Sequence, residues 1–271
     1  YLNAKTITMT ARQLSKPLCL NLLLVGMLLL GGSEITMAAG NCLVTIPGPS
    51  GNTNAYPPIG GETIVCSGGV ITTGVNSQYQ GTFPSGETAS TLGNNVTITV
   101  DPNTTISSSL ATIGLGNRLT ATNNGILFTS GGTYAYGISA GNTITNNGLI
   151  NTLGPGSSAI IVSASNAGSL GNSIINTGSI NTSGGPVSAN GSNGIYLSSG
   201  ATGAAVNNSV VNTGSIATNG ILGVGIRFEV AGGIASITNS GSITTDGLNA
   251  NGIQIVNAAN TVSVNNSGTI A

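Results

Sequence analysis

One five-residue pattern recurs six times and constrains everything else. Its copies are Asn123-Asn124-Gly125-Ile126-Leu127, Asn146-Asn147-Gly148-Leu149-Ile150, Asn176-Thr177-Gly178-Ser179-Ile180, Asn212-Thr213-Gly214-Ser215-Ile216, Asn239-Ser240-Gly241-Ser242-Ile243 and Asn266-Ser267-Gly268-Thr269-Ile270. The six glycines are separated by 23, 30, 36, 27 and 27 residues. A repeat in the twenties to thirties with variable inserts marks a solenoid, whose units bury their apolar faces only by stacking on one another.

Side chains in a strand alternate faces, so parity shows what each residue does. Ile174, Asn176, Gly178 and Ile180 share one parity, as do Val210, Asn212, Gly214 and Ile216. An aliphatic residue on each side of Asn-x-Gly predicts two strands meeting at a corner. Gly would supply a positive φ for the bend, and an inward Asn would bond the backbone groups the bend frees. A third segment alternates too, as in Gly194-Ile195-Tyr196-Leu197, Gly225-Ile226-Arg227-Phe228 and Gly252-Ile253-Gln254-Ile255, with Tyr196, Arg227 and Gln254 outward. The expected fold is all-β: a parallel β-helix with three short strands per coil, each coil adding about 4.8 Å along the axis.

Stacking then places Asn123, Asn146, Asn176, Asn212, Asn239 and Asn266 in one internal ladder, a device that stabilises strands stacked in register. Asn208 is assigned to the outward parity, so Asn212→Leu should destabilise more than Asn208→Leu. The separations Ile160 to Ile174, Ile180 to Ile195 and Ile195 to Val210 are 14, 15 and 15, against 10 or 11 in the last coils. The extra residues, within 163–172, 183–192 and 198–207, are expected to protrude as loops, where binding often resides.

Composition narrows the function. Charged residues are only 4% of the chain and histidine is absent. Beyond residue 40 the cations are Arg118 and Arg227, against Glu62, Glu87, Asp101, Glu229 and Asp246. This excludes the basic footprint of a nucleic-acid binder. Hydrolysis or elimination needs clustered acids, or a base with a metal. Asp101 and Asp246 are far apart in sequence, and Arg227 with Glu229 reads as a surface ion pair. No catalytic residue, cofactor or metal site is expected.

The first 40 residues carry the three parts of a secretory signal peptide: Arg12 and Lys16, the apolar run Leu18–Leu30, and the small residues Ala38-Ala39-Gly40. Met9 is a candidate initiator. The run is short of the ~20 residues needed to span a bilayer. Cys19 would leave with the leader. Cys42 and Cys66 remain as an even pair in an exported chain, which predicts a disulfide worth on the order of 3 kcal/mol. The expected organisation is a leader over 1–40, a disulfide-closed N-terminal cap over 41–90 and β-helix repeats over 91–271.

A leader, a short Cys-bracketed segment and repeated Asn-Thr-Gly-Ser-Ile units resemble the N-terminal passenger region of bacterial autotransporters, the type V secretion proteins with a pertactin-like or pectin-lyase-like β-helix. The resemblance spans residues 9–271 in organisation and is most specific over 119–271. It implies a right-handed coil, supported by the general hand of crossovers between parallel strands. It also implies export through the periplasm to the outer membrane, cell surface or medium, and an outer-membrane β-barrel translocator in cis. No barrel pattern precedes Ala271, so the chain reads as part of a longer protein.

The expected function is that of a non-catalytic, surface-displayed scaffold in adhesion or cell aggregation, meeting host-surface or carbohydrate ligands. Two alternatives have other discriminators. A β-helical stalk of a longer secreted enzyme would bring clustered Ser, His, Asp or Glu downstream. A two-partner-secretion exoprotein would have its barrel encoded in a separate reading frame.

Overall fold

The computed structural model describes residues 41–45, 51–52, 63–72, 75–76, 96–109, 112–114, 119–130, 136–139, 142–164, 171–184, 191–199, 207–230, 233–256 and 261–271. All lie within the unit Ala38–Ala271. The leader, most of 41–90, residues 165–170, 185–190 and 200–206 of the expected loops, and Glu62, Glu87 and Arg118 fall outside the described residues.

Every described element is a strand or a turn, and the strands make three sheets of ten, eight and seven. The chain visits them in rotation. Ser173–Asn176 lies in the first sheet, Ser179–Ser183 in the second, Ile195–Ser199 in the third, and Asn207–Asn212 returns to the first. Pairing between successive visits is parallel and in register, for example Asn176 opposite Asn212, Ile180 opposite Ile216 and Ile195 opposite Ile226. This is the connectivity of a parallel β-solenoid with three strands per coil.

The rotation begins ahead of the 90/91 boundary read from the sequence. Thr63–Ser67, Gly69–Ile71 and Val75–Asn76 already contribute one strand each to the three sheets. That coil lacks Asn-x-Gly, because Cys66 and Gly68 occupy the corner. Before it, Asn41–Thr45 runs antiparallel to Thr63–Ser67 and to Gly51–Asn52.

The interior consists of columns. Ile144, Ile174, Val210 and Ile237 stack in the first sheet, and Leu127, Ile150, Ile180, Ile216 and Ile243 in the second. Ile138, Ile160, Ile195 and Ile226 stack in the third. All are buried, and each such side chain contributes about 1.5–3 kcal/mol of transfer free energy. Near the start of four third-sheet strands stand Gly137, Gly194, Gly225 and Gly252, where a Cβ would strike Ile150, Ile216, Ile243 or Ile270 across the interior; Ala159 holds the same register position.

Two expectations require correction. The glycines of the six Asn-x-Gly corners do not adopt positive φ; the positive-φ glycines among the described residues are Gly68, at the Cys66 corner, Gly69, Gly156 and Gly233. What demands Gly at the corner is clearance. A Cβ on Gly148, Gly178, Gly214, Gly241 or Gly268 would sit on the carbonyl oxygen of the corner glycine one coil away, inside the 3.0 Å that real Cβ atoms keep. A Cβ on Gly125 would meet the Thr104 carbonyl in the same way. Asn208 is not outward either. It shares parity with Val210 and Asn212 and is buried, accepting a 2.7 Å hydrogen bond from Asn172.

Candidate functional site

The corner column is built from backbone upward. The Asn146 carbonyl accepts two successive N–H groups of the next coil, Thr177 at 2.8 Å and Gly178 at 2.9 Å. Asn123, Asn176, Asn212 and Asn239 repeat this pattern. Two donors converging on one acceptor turn the chain sharply, and the coils approach so closely there that a methyl group is excluded.

The six corner side chains lie inside that bend. Nδ2 of Asn123, Asn146, Asn176, Asn212 and Asn239 donates to Oδ1 of the next Asn at 2.7–2.8 Å, the run ending on Asn266. At its start, where Val100 precedes Asn123 in the column, the Gly125 N–H donates to Asn123 Oδ1 at 3.2 Å. One step further lies Cys66, so the sulfur pair tops the same column. Cys42 and Cys66 are buried, directly opposed on antiparallel strands and joined by a disulfide. The corner column is therefore filled by side chains that satisfy one another. It offers nothing to a ligand.

A second polar column was not visible to an apolar count. Thr129, Thr152, Thr182 and Thr218 stack in register on the inner face of the second sheet and are buried. Thr152 and Thr182 donate to the Ser157 and Ser192 carbonyls at 3.4 Å, whereas Thr129 and Thr218 have no hydrogen-bond partner among the described residues. The signal available was position: each stands two residues beyond the inward aliphatic of its strand.

The outer faces are the surfaces open to contact. On the first sheet one outer column reads Thr97, Thr120, Thr143, Ser173, Ser209, Ser236 and Ser263. Hydroxyls dominate it, and it bears no charge. Thr177 Oγ1 donates to Asn147 Oδ1, and Asn147 Nδ2 to Asn124 Oδ1, each at 2.8 Å beside the corner.

Charge is concentrated on the third sheet. Tyr196 and Arg227 are register partners, as are Arg227 and Gln254. Tyr196 Oη donates to Glu229 Oε2 at 2.7 Å, and Arg227 Nη2 reaches the same oxygen at 3.2 Å. The Arg227 guanidinium carbon lies 5.3 Å from the Tyr196 ring centroid, within cation–π range. The pair expected from sequence is thus a three-residue cluster spanning two coils. The Arg227 side chain is 15% exposed and that of Glu229 31%. Burial, reinforced by the bond to Glu229, raises the Tyr196 pKa above its ordinary 10.0, so the phenol remains a donor at neutral pH.

Among the described residues, no group of three or more His, Cys, Asp and Glu side chains could hold a metal. No family model, curated protein or solved structure matches this chain.

Proposed function

We propose that this chain is the non-catalytic passenger scaffold of a bacterial autotransporter, a right-handed β-helix displayed at the cell surface that mediates adhesion or cell aggregation. In this reading residues 1–40 direct export, the disulfide-bonded segment caps the first coil, and a β-barrel in cis carries the passenger across the outer membrane. The observation that carries it is the division of labour between the two faces. The interior columns are Asn, Thr and aliphatic residues, with the corner asparagines bonded to one another, while the described outer columns present mainly hydroxyls and amides with almost no charge. Such a surface makes many weak, directional contacts and lacks a field that would select one ionic partner.

The test is deletion. Cells displaying the whole protein should attach to surfaces and clump, and removal of residues 91–271 in frame should abolish both while the translocator remains in the membrane. Undiminished attachment and clumping after the deletion would refute the proposal.

A further inference from the structure

We infer that Tyr196, Arg227, Glu229 and Gln254 form a binding subsite for a neutral oligosaccharide lying along the solenoid axis. The inference deepens the adhesion reading and rests on it for its biological role, but the site itself stands on geometry.

The cluster is the one place on the described surface where ionic groups gather. The other described charged residues lie off the third sheet, Asp246 in a second-sheet strand and Asp101 in the turn before Thr104–Ser108. Its own charges cancel. An anion brought to Arg227 would meet Glu229, and a cation brought to Glu229 would meet Arg227. A polyhydroxylated neutral molecule has no such conflict, since each hydroxyl is both donor and acceptor and can serve carboxylate and amide at once.

Acceptors and donors are also positioned for a ligand. Tyr196 and Arg227 both bond Glu229 through Oε2, which holds a carboxylate whose side chain is partly exposed. Gln254, one coil further and in register with Arg227, is only partly buried, and its amide makes no hydrogen bond among the described residues. Tyr196, Arg227 and Gln254 therefore form one outer column with a step of about 4.8 Å. A linear chain of sugar rings parallel to the axis would meet an aromatic edge, a planar guanidinium and a planar amide in succession. Planar groups held this way lose little conformational freedom on binding.

The experiment uses the full chain with isotopic labelling and three neutral probes: cellotetraose, chitotetraose and maltotetraose. Tetragalacturonate serves as the anionic comparison. At least one neutral tetrasaccharide should shift the Gln254 side-chain amide and Tyr196 ring resonances saturably, more tightly than tetragalacturonate. Gln254→Ala should weaken that binding at least about fivefold without moving the thermal midpoint, and Glu229→Gln should weaken it at least as much. The inference is overturned by no saturable shift with any neutral probe, by tighter binding of tetragalacturonate, or by binding indifferent to both substitutions. Cells whose attachment needs residues 91–271 yet tolerates both substitutions would keep the adhesion reading and overturn this site as its contact. Saturable oligosaccharide binding, with attachment untouched by the deletion, would keep the site and refute the adhesion reading.

Discussion

A buried carboxamide is satisfied along a stacking axis only when like groups sit one coil away on both sides. Asn212 has both neighbours, accepting from Asn176 and donating to Asn239, each at 2.7 Å. Replacing it with Leu strands one buried donor and one buried acceptor, each costing about 1–3 kcal/mol. Asn208 has one such neighbour. It accepts from Asn172, while its own Nδ2 is buried without a partner and Ala235 stands next in its column. In urea denaturation Asn212→Leu should therefore lose about 2–5 kcal/mol and Asn208→Leu about 1 kcal/mol. Equal losses would remove the ladder's claim to be the stronger device. Much of this was legible in the chain. Parity put the six corner asparagines inside, and the register aligns them. The same arithmetic, applied from Val210 backward, puts Asn208 inside as well; its outward assignment ignored the alternation within its own strand. The threonine column escaped because a hydroxyl at an inward position does not register in a count of apolar residues. The Tyr196–Glu229 bond escaped because it joins positions 33 residues apart, and that separation depends on loop lengths that carry no pattern.

At the level of the element, the corner works through contact between backbones. Sequence shows that Gly recurs there, but a positive φ and a missing methyl leave the same letter. Only the stacked coils reveal that the carbonyl of one corner glycine lies where the next would carry its Cβ. Gly178→Ala should accordingly destabilise by more than about 3 kcal/mol, since a clash between backbones cannot relax through a side-chain rotamer. Thr177→Ala, one residue away and exposed, should cost within about 1 kcal/mol, its loss being an exposed hydroxyl bond to Asn147 and a long 3.5 Å contact to the Asn146 carbonyl. Comparable melting temperatures for the two variants would show that neighbouring coils can part at the corner, and would contradict the close-approach account.

Across the whole described solenoid, contacts run between adjacent coils, so stability is approximately a sum of coil and joint terms. Local opening should be easier at a joint that lacks the asparagine pair than at one that has it. Val100, not Asn, adjoins Asn123 in the corner column, whereas Asn146 and Asn176 are bonded to each other. In hydrogen exchange followed by NMR, the Gly178 amide, bonded to the Asn146 carbonyl, should exchange more slowly than the Asn124 amide, bonded to the Val100 carbonyl. Equal protection would instead indicate a single cooperative unit. The corner column has a further meaning for how such a molecule changes over generations. Asn meets Asn and Gly meets Gly at successive joints, so the surface a coil offers above is the one it receives below. An in-frame tandem copy of a 27-residue unit such as the one from Gly241 to Gly268 would recreate both joints with no compensating substitution. Recombination between repeats can therefore lengthen or shorten the display without redesigning it.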